Sequence, residues 1–164
     1  MRDIIITLAV LFIAGGLLTP RKSWALPAGA QPYAPDILAA ETNNGLPPKL
    51  LARVLYQESR YRPDIISGET KSSAGAVGIA QIVPRWHPGV NPLNPTESIY
   101  YAADYLRQLH DRFGSWPLAL AAYNWGQGNV NNALKAKGTD WFSALPTETR
   151  NYVNQITADV AVNT

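Results

Sequence analysis

Cysteine is absent from the 164-residue chain, and histidine occurs only twice. Without cysteine the chain forms no disulfide, carries no thiolate nucleophile and offers no ligands for an iron–sulfur cluster or cysteine-bound zinc. The two histidines, His87 and His110, each lack a second histidine three or four residues away, which is the spacing of a helical metal pair. The sequence therefore predicts neither a metal centre nor a bound cofactor.

A strong excess of one charge is also absent. Charged residues make up 16% of the chain, and the formal net charge is +2. Three of the 14 basic residues and one of the 12 acidic residues lie in the first 25 positions, which leaves 11 of each in the remainder. A neutral remainder has no basic stripe to bind phosphates, which argues against a nucleic-acid partner. The hydrophobic share of 46% indicates a folded domain rather than disorder.

Only one long hydrophobic run is present, at residues 4–18. It is shorter than the roughly 20 residues of a spanning helix and fits a signal-peptide core of about 7–15 residues. Ser23-Trp24-Ala25 and Ala28-Gly29-Ala30 both place small residues at the two positions that a signal-peptide cleavage site requires. We expect residues 1–25 to be a signal peptide cleaved after Ala25 or, as a second choice, after Ala30.

An uncleaved anchor is the alternative for this segment, because the basic pair at 21–22 is unusual in a cleavage region. Either outcome exports the domain. The cleaved protein would be periplasmic. The uncleaved protein would be held on the inner membrane facing the periplasm, with this segment as its only membrane contact.

The rest of the chain is predicted to be a single, mainly α domain. Prolines at 27, 32 and 35 suggest an extended lead-in over 26–35, and residues 36–164 carry the domain. Asn94, with Glu97 three residues later, predicts the start of a central helix that Gly114 ends. A small β element around residues 65–78 is compatible with the sequence but is not required by it. Further helical patterns follow Pro47-Pro48 and cover residues 116–123, 126–137 and 147–160.

Glu58 is a carboxylate on an apolar helix face. Leu51, Val54 and Leu55 mark that face, and Glu58 lies seven residues after Leu51. Burying an unpaired carboxylate costs several kcal/mol unless its pKa rises and it becomes neutral. A protonated glutamate near neutral pH is what a general acid requires. The alternative is a glutamate at a helix end that reaches solvent.

Two further segments combine polar side chains with glycines or aromatic rings. Residues 75–81 place Gly75 and Gly78 before the amide of Gln81, and glycines permit close approach of a ligand to the backbone. Residues 122–126 present a phenol, an amide and an indole, which suit sugar hydroxyls, acetamido groups and apolar sugar faces. Taken alone, each segment is also compatible with an ordinary turn or helix end.

Together these segments resemble the SLT-type lytic transglycosylases, which have a goose-lysozyme-like catalytic domain. The resemblance covers about residues 36–155 and implies a lysozyme-like (goose-type) single helical domain with a deep cleft. Ala80, Ser98, Ala102 and Trp125 depart from the usual family residues. The matching motifs are Gln57-Glu58-Ser59, residues 73–81, Asn94-Pro95 followed by Tyr105-Leu106, residues 122–126 and residues 146–153.

The resemblance implies cleavage of the β-1,4 bond between N-acetylmuramic acid and N-acetylglucosamine in peptidoglycan glycan strands, with 1,6-anhydromuramoyl ends as products. Glu58 would act as acid and then as base, with Ser59 and Tyr123 as its support. The substrate's own acetamido group would replace a second carboxylate. The implied substrate contacts are Ser73, Gln81, Asn124 and Tyr152.

Two other functions remain open. One is a hydrolytic muramidase on the same fold, and the other is a non-catalytic wall-binding module. Small members of the family accompany secretion, conjugation, pilus or phage-entry machinery, so the resemblance implies an envelope machine of this kind as a partner.

Overall fold

The computed structural model describes residues 24–162, and the predicted signal segment lies almost wholly outside them. Within this range no helix is long and apolar enough to cross a membrane. Two 3₁₀ helices span Ala28–Tyr33 and Gly138–Ala144. The α-helices are α1 (Ala34–Asn43), α2 (Leu50–Ser59), α3 (Pro63–Ile66), α4 (Pro95–Phe113), α5 (Trp116–Trp125), α6 (Gln127–Lys137) and α7 (Thr147–Asp159).

The lead-in is folded, so the prediction of an extended segment over 26–35 is wrong. Residues Ala28–Tyr33 form a 3₁₀ helix, and α1 begins at Ala34. Pro35 lies in the first turn of α1, where a missing N–H costs no helical hydrogen bond. Ala30 is fully buried, and the Tyr33 ring stacks on Tyr61 with 6.3 Å between centroids. The prolines therefore start a helix that packs on the domain.

A buried carboxylate of α1 fixes the start of α2. The backbone N–H groups of Lys49 and Ala52 donate to the two carboxylate oxygens of Glu41 at 3.0 and 3.2 Å. Burial raises the pKa of Glu41, and these backbone hydrogen bonds oppose the rise. Donors at a helix N-terminus have no partner within the helix, so Glu41 supplies what a capping side chain would. The first turn of the helix that carries Glu58 is thereby held in place.

The central helix α4 has the predicted ends. Asn94 Oδ1 accepts the Glu97 N–H at 3.2 Å, and Gly114 ends the helix with φ of 76°. The reciprocal half of a capping box is absent, because the Glu97 carboxylate accepts the Asn91 N–H at 2.7 Å instead. An apolar stripe of α4 faces the core at Ile99, Ala102, Leu106 and Leu109, which are all buried.

A 28-residue segment, 67–94, separates α3 from α4 and contains no helix. The β element considered around 65–78 is not formed within residues 24–162; one isolated antiparallel bridge joins Val77 to Ile82. The helices predicted over 116–123, 126–137 and 147–160 are confirmed as α5, α6 and α7, with ends shifted by one or two residues. The helices surround one apolar core, and segment 67–94 folds over one side of the site described below.

Candidate active site

A cleft of about 1600 Å³ opens between the helices and segment 67–94. Pockets for small molecules have about 300–1,000 Å³, so this cleft has room for an extended ligand. Six of the seven predicted site residues line it, and Ser59 does not. Those six are Glu58, Ser73, Gln81, Tyr123, Asn124 and Tyr152.

Glu58 lies in the last turn of α2 with its carboxyl group in the cleft. Burial among protein atoms raises its pKa to about 7, although part of its surface still faces the cleft. The Tyr152 hydroxyl donates to Glu58 Oε1 at 2.7 Å, which opposes the rise in pKa because it stabilises the charged form. The charge of Glu148 adds to the rise. The carboxyl group is therefore close to half-protonated near neutral pH.

Helix α7 carries Tyr152 and is held against α2 by several side-chain contacts. Arg53 pairs with Asp159 at 2.7 Å, and Gln57 Nε2 donates to Gln155 Oε1 at 2.6 Å. The Tyr152–Glu58 hydrogen bond is the next contact along these antiparallel helices. Arg53 is buried, and its guanidinium also lies over the Tyr56 ring at 5.3 Å. The register of the two helices thus sets the position of the Tyr152 hydroxyl against Glu58.

The hydrogen bonds differ from the predicted support of Glu58. The Ser59 hydroxyl is fully buried, donates to the Leu55 carbonyl at 3.0 Å and accepts the Tyr61 N–H at 3.2 Å. Adjacent residues of a helix point in different directions, so Ser59 points into the core rather than into the cleft with Glu58. Its hydroxyl stabilises the end of α2 instead. The Tyr123 hydroxyl donates to the Ala80 carbonyl at 3.0 Å. Tyr152, predicted as a substrate contact, is the residue that bonds to Glu58.

Tyr123 is nevertheless close to Glu58. Burial raises its pKa well above the usual value, and the negative charge of Glu58 adds to the rise. Its hydrogen bond to the Ala80 carbonyl joins α5 to the turn that carries Gln81. Tyr123 therefore positions the two sides of the cleft against each other.

The turn before Gln81 requires glycine at one position. Gly78 has φ of 79°, and a Cβ built there would lie 1.8 Å from the Pro92 carbonyl oxygen. Gln81 itself has φ of 49°, and its Nε2 donates to the Gly78 carbonyl at 3.0 Å. Its amide oxygen remains available as an acceptor. Ser73 lies on the exposed rim of the same segment.

Asn124 offers a hydrogen-bond donor, which complements the acceptor of Gln81. Its Oδ1 accepts a hydrogen bond from Thr149 Oγ1 at 2.8 Å, which leaves the amide N–H₂ as a donor toward the cleft. Sequence reasoning did not identify Thr149, although it lies three residues before Tyr152 on α7. The pair of Gln81 and Asn124 thus offers an acceptor and a donor, as an acetamido group requires.

Sequence reasoning also did not identify the aromatic side chains that α4 contributes to the cleft, or a second carboxylate there. Tyr101 and Tyr105 line the cleft from α4, and His87 Nδ1 lies 2.6 Å from the Tyr101 hydroxyl. Glu148 lines it from α7, one turn before Tyr152. Both sets could have been found by helical spacing, because residues four apart share a face. Within residues 24–162 no three acidic or histidine side chains are placed to hold a metal.

A helical domain with one desolvated glutamate in a long cleft has the features of a glycan-cleaving acid–base site. The model of the family described as the transglycosylase SLT domain matches residues 36–145. The chain belongs to this family, and its fold is the lysozyme-like SLT fold.

Known relatives extend well beyond the matching region. The transglycosylase of Enterobacteria phage PRD1 is 34% identical over 113 residues, which cover 67% of this chain and 41% of the phage protein. The membrane-bound lytic murein transglycosylase D of Escherichia coli K12 is 32% identical over 79% of this chain and 31% of its own length. The chain thus spans less than half of each of these relatives.

Two solved structures share the fold. The 70 kDa soluble lytic transglycosylase of Escherichia coli has a TM-score of 0.65 and 26% identity, over 77% of this chain and 23% of that one. The lytic transglycosylase Slt of Pseudomonas aeruginosa, solved as an inactive glutamate-to-glutamine mutant, has a TM-score of 0.64 and 27% identity, with the same coverage.

Proposed function

We propose that this protein is a peptidoglycan lytic transglycosylase. It cleaves the β-1,4 bond between N-acetylmuramic acid and N-acetylglucosamine and leaves a 1,6-anhydromuramoyl end. The observation that carries the proposal is Glu58, a carboxyl group in a long cleft whose pKa burial raises to about 7. Such a group is protonated often enough to donate a proton and ionised often enough to accept one at the same pH.

In the first step Glu58 donates its proton to the glycosidic oxygen while the bond from that oxygen to C1 of the muramoyl residue breaks. The acetamido oxygen of the same sugar stabilises the electron-poor C1, so the protein needs no nucleophile of its own. Gln81 and Asn124 are suited to hold an acetamido group, since one offers an acceptor and the other a donor.

In the second step the Glu58 carboxylate removes the proton from the muramoyl 6-hydroxyl. The oxygen of that hydroxyl forms the new bond to C1, and Glu58 is protonated again for the next cycle. The Tyr152 hydroxyl hydrogen-bonds to the carboxylate and stabilises the charged form that exists between the two steps. Family membership and the inactive glutamate-to-glutamine mutant of the Pseudomonas aeruginosa structure support this assignment.

Mass spectrometry of the soluble fragments released from purified peptidoglycan tests the proposal, with Glu58→Gln as the matched variant. We expect anhydromuramoyl ends from the wild type and none from the variant. Release of reducing muramic ends would replace the proposal with a muramidase. No release, together with retained sedimentation on the wall, would replace it with a wall-binding module.

A hydrolytic muramidase is the second candidate, and Glu148 is the observation that favours it. Glu148 lines the same cleft as Glu58, and its charge contributes to the raised pKa of Glu58. Glycosidases with two carboxylates use the second one to activate water or to attack the sugar. Glu148→Gln separates the candidates: a transglycosylase keeps most of its turnover, whereas a muramidase loses it as Glu58→Gln does.

We also propose that the protein acts in the periplasm and opens the wall locally for an envelope-spanning machine. The apolar run at residues 4–18 and the membrane-bound murein transglycosylases among the relatives support this location. Fractionation of expressing cells, with the mass of the protein recovered from each fraction, tests it. A cytoplasmic protein of full mass would contradict it.

A further inference from the structure

Trp86 is an exposed tryptophan at the cleft. It retains 68% of its surface in contact with solvent, the highest value among the large hydrophobic side chains of residues 24–162, and it lines the same cleft as Glu58. A flat apolar ring left in water forgoes the stabilisation that burial would give. The core therefore does not explain its position, and a ligand in the cleft can.

The backbone that carries Trp86 is hydrogen-bonded, and the neighbouring Arg85 side chain contacts the ring. The Arg85 guanidinium lies over it, 4.9 Å from the ring centroid. The backbone around it forms successive turns, in which the Trp86 N–H donates to the Val83 carbonyl at 3.0 Å and the His87 N–H to the Pro84 carbonyl at 3.2 Å. A hydrogen-bonded turn reduces the backbone freedom that is lost when a ligand binds.

The residue after Trp86 begins a row of ring contacts that leads toward Glu58. The His87 ring lies 5.2 Å from that of Tyr105, and Tyr105 lies 5.8 Å from Tyr123. Tyr123 in turn lies close enough to Glu58 for the carboxylate charge to act on it. Trp86 thus lines the same cleft as Glu58 and directly precedes His87, the first ring of the row that reaches the proposed site of bond cleavage.

We propose that Trp86 is an outer saccharide platform, on which a pyranose ring of the glycan strand stacks beyond the two sugars at the cleaved bond. The apolar face of a pyranose covers the indole, and the Arg85 guanidinium offers donors to its hydroxyl or carbonyl oxygens. The identity of this occupant rests on the proposed function, since the cleft that Trp86 extends is the one assigned to the glycan.

The test measures equilibrium binding of glycan strands, both peptide-free and with stem peptides, to the full-length Glu58→Gln protein, which does not consume them. In this background Trp86→Ala is expected to weaken binding of long strands about 10-fold and to leave a short fragment that spans only the cleaved bond unaffected. Trp86→Phe keeps a flat ring and is expected to stay within about 3-fold. Leu38→Ala is the matched control, because Leu38 is 67% exposed and lies outside the cleft.

Three results would overturn the platform. They are equal binding by Glu58→Gln with and without Trp86→Ala, an equal loss on short fragments, and a loss that appears only on strands with stem peptides. An equal loss on short fragments would place Trp86 at the sugars of the cleaved bond. A loss confined to strands with stem peptides would make Trp86 a contact of the peptide. Product analysis of the wild type is read separately, so a failed transglycosylase assignment and a failed platform give different results.

Discussion

The two walls of the cleft are built differently. The helical wall carries Glu58 on α2, Asn124 on α5 and Tyr152 on α7, and the loop wall is segment 67–94 with Gln81 and Trp86. On the helical wall Tyr152 is buried and bonded to Glu58, whose pKa is shifted by burial. On the loop wall Gln81 is partly exposed and Trp86 is largely exposed. Changes in the first wall should therefore affect the chemical step, and changes in the second should affect binding or the shape of the turn.

The largest expected effect is on the helical wall. Glu58→Gln should lower the rate of wall degradation by about 10³-fold or more, because an amide keeps the shape of the side chain but cannot cycle a proton. Sedimentation with purified wall should remain close to wild type. The rate of soluble fragment release and the pelleted fraction check both expectations. Degradation at a near wild-type rate would remove Glu58 from its role.

The next effect is on the stability of the loop wall. Gly78→Ala should lower the free energy of unfolding by about 3 kcal/mol or more, because the new Cβ would lie 1.8 Å from the Pro92 carbonyl oxygen. Gly75→Ala is the matched control, since Gly75 has nearly the same φ of 80° but has no atom within 4 Å of the added Cβ. It should cost only about 1 kcal/mol, from backbone strain alone.

Chemical denaturation of both variants measures this difference. Equal costs would mean that the segment can move away from Pro92, and the loop wall would then be less fixed than its contacts indicate.

Tyr152→Phe should have a smaller effect that combines rate and pH. Loss of the hydrogen bond to Glu58 is expected to lower turnover about 30-fold, because the carboxyl group loses its orienting partner. Burial raises the pKa of Glu58 from 4.5 to about 7, and the hydrogen bond from Tyr152 opposes this rise. Removal of the hydrogen bond should therefore raise the pKa further. Since the general acid must be protonated, kcat/KM of the wild type should fall as the pH rises above about 7.

In Tyr152→Phe that fall should occur at higher pH. A pH profile of kcat/KM for both proteins checks the direction. A lower rate with an unchanged profile would mean that Tyr152 acts only through packing.

Gln81→Ala and Asn124→Ala are expected to have the smallest effects, each about 10-fold on kcat/KM, since each removes one cleft side chain that we propose to bind a sugar substituent. Gln81→Ala should act mainly through KM, because Gln81 belongs to the loop wall. Steady-state kinetics on soluble glycan strands separates the two parameters. A loss as large as that of Glu58→Gln at either position would contradict the assignment of these two residues to substrate binding.

The sequence could predict features that depend on neighbours along the chain. Asn94 and Gly114 mark the ends of α4 through local backbone chemistry, and the position of Glu58 seven residues after Leu51 indicates its burial. The Tyr152–Glu58 hydrogen bond joins residues 94 positions apart and depends on how α2 packs on α7, so no local pattern contains it. The contact of Gly78 with Pro92 is hidden for the same reason.

The 3₁₀ helix Ala28–Tyr33 is hard to predict for a different reason, because its local sequence pattern is ambiguous. Three prolines near 26–35 suggested an extended chain, because prolines mark both turns and helix starts. The buried side of Ala30 and the Tyr33–Tyr61 stacking decide between these alternatives, and both are tertiary contacts.

The proposed chemistry depends on a fold that holds the Glu58 carboxyl group near half-protonation at neutral pH. A ¹³C NMR titration of the Glu58 side-chain carboxyl group, assigned by comparison with Glu58→Gln, measures this property most directly. Burial of Glu58 should give a midpoint near pH 7, well above the ordinary value of 4.5. A midpoint near 4.5 would contradict it, because Glu58 would then be ionised at neutral pH and unable to act as the acid.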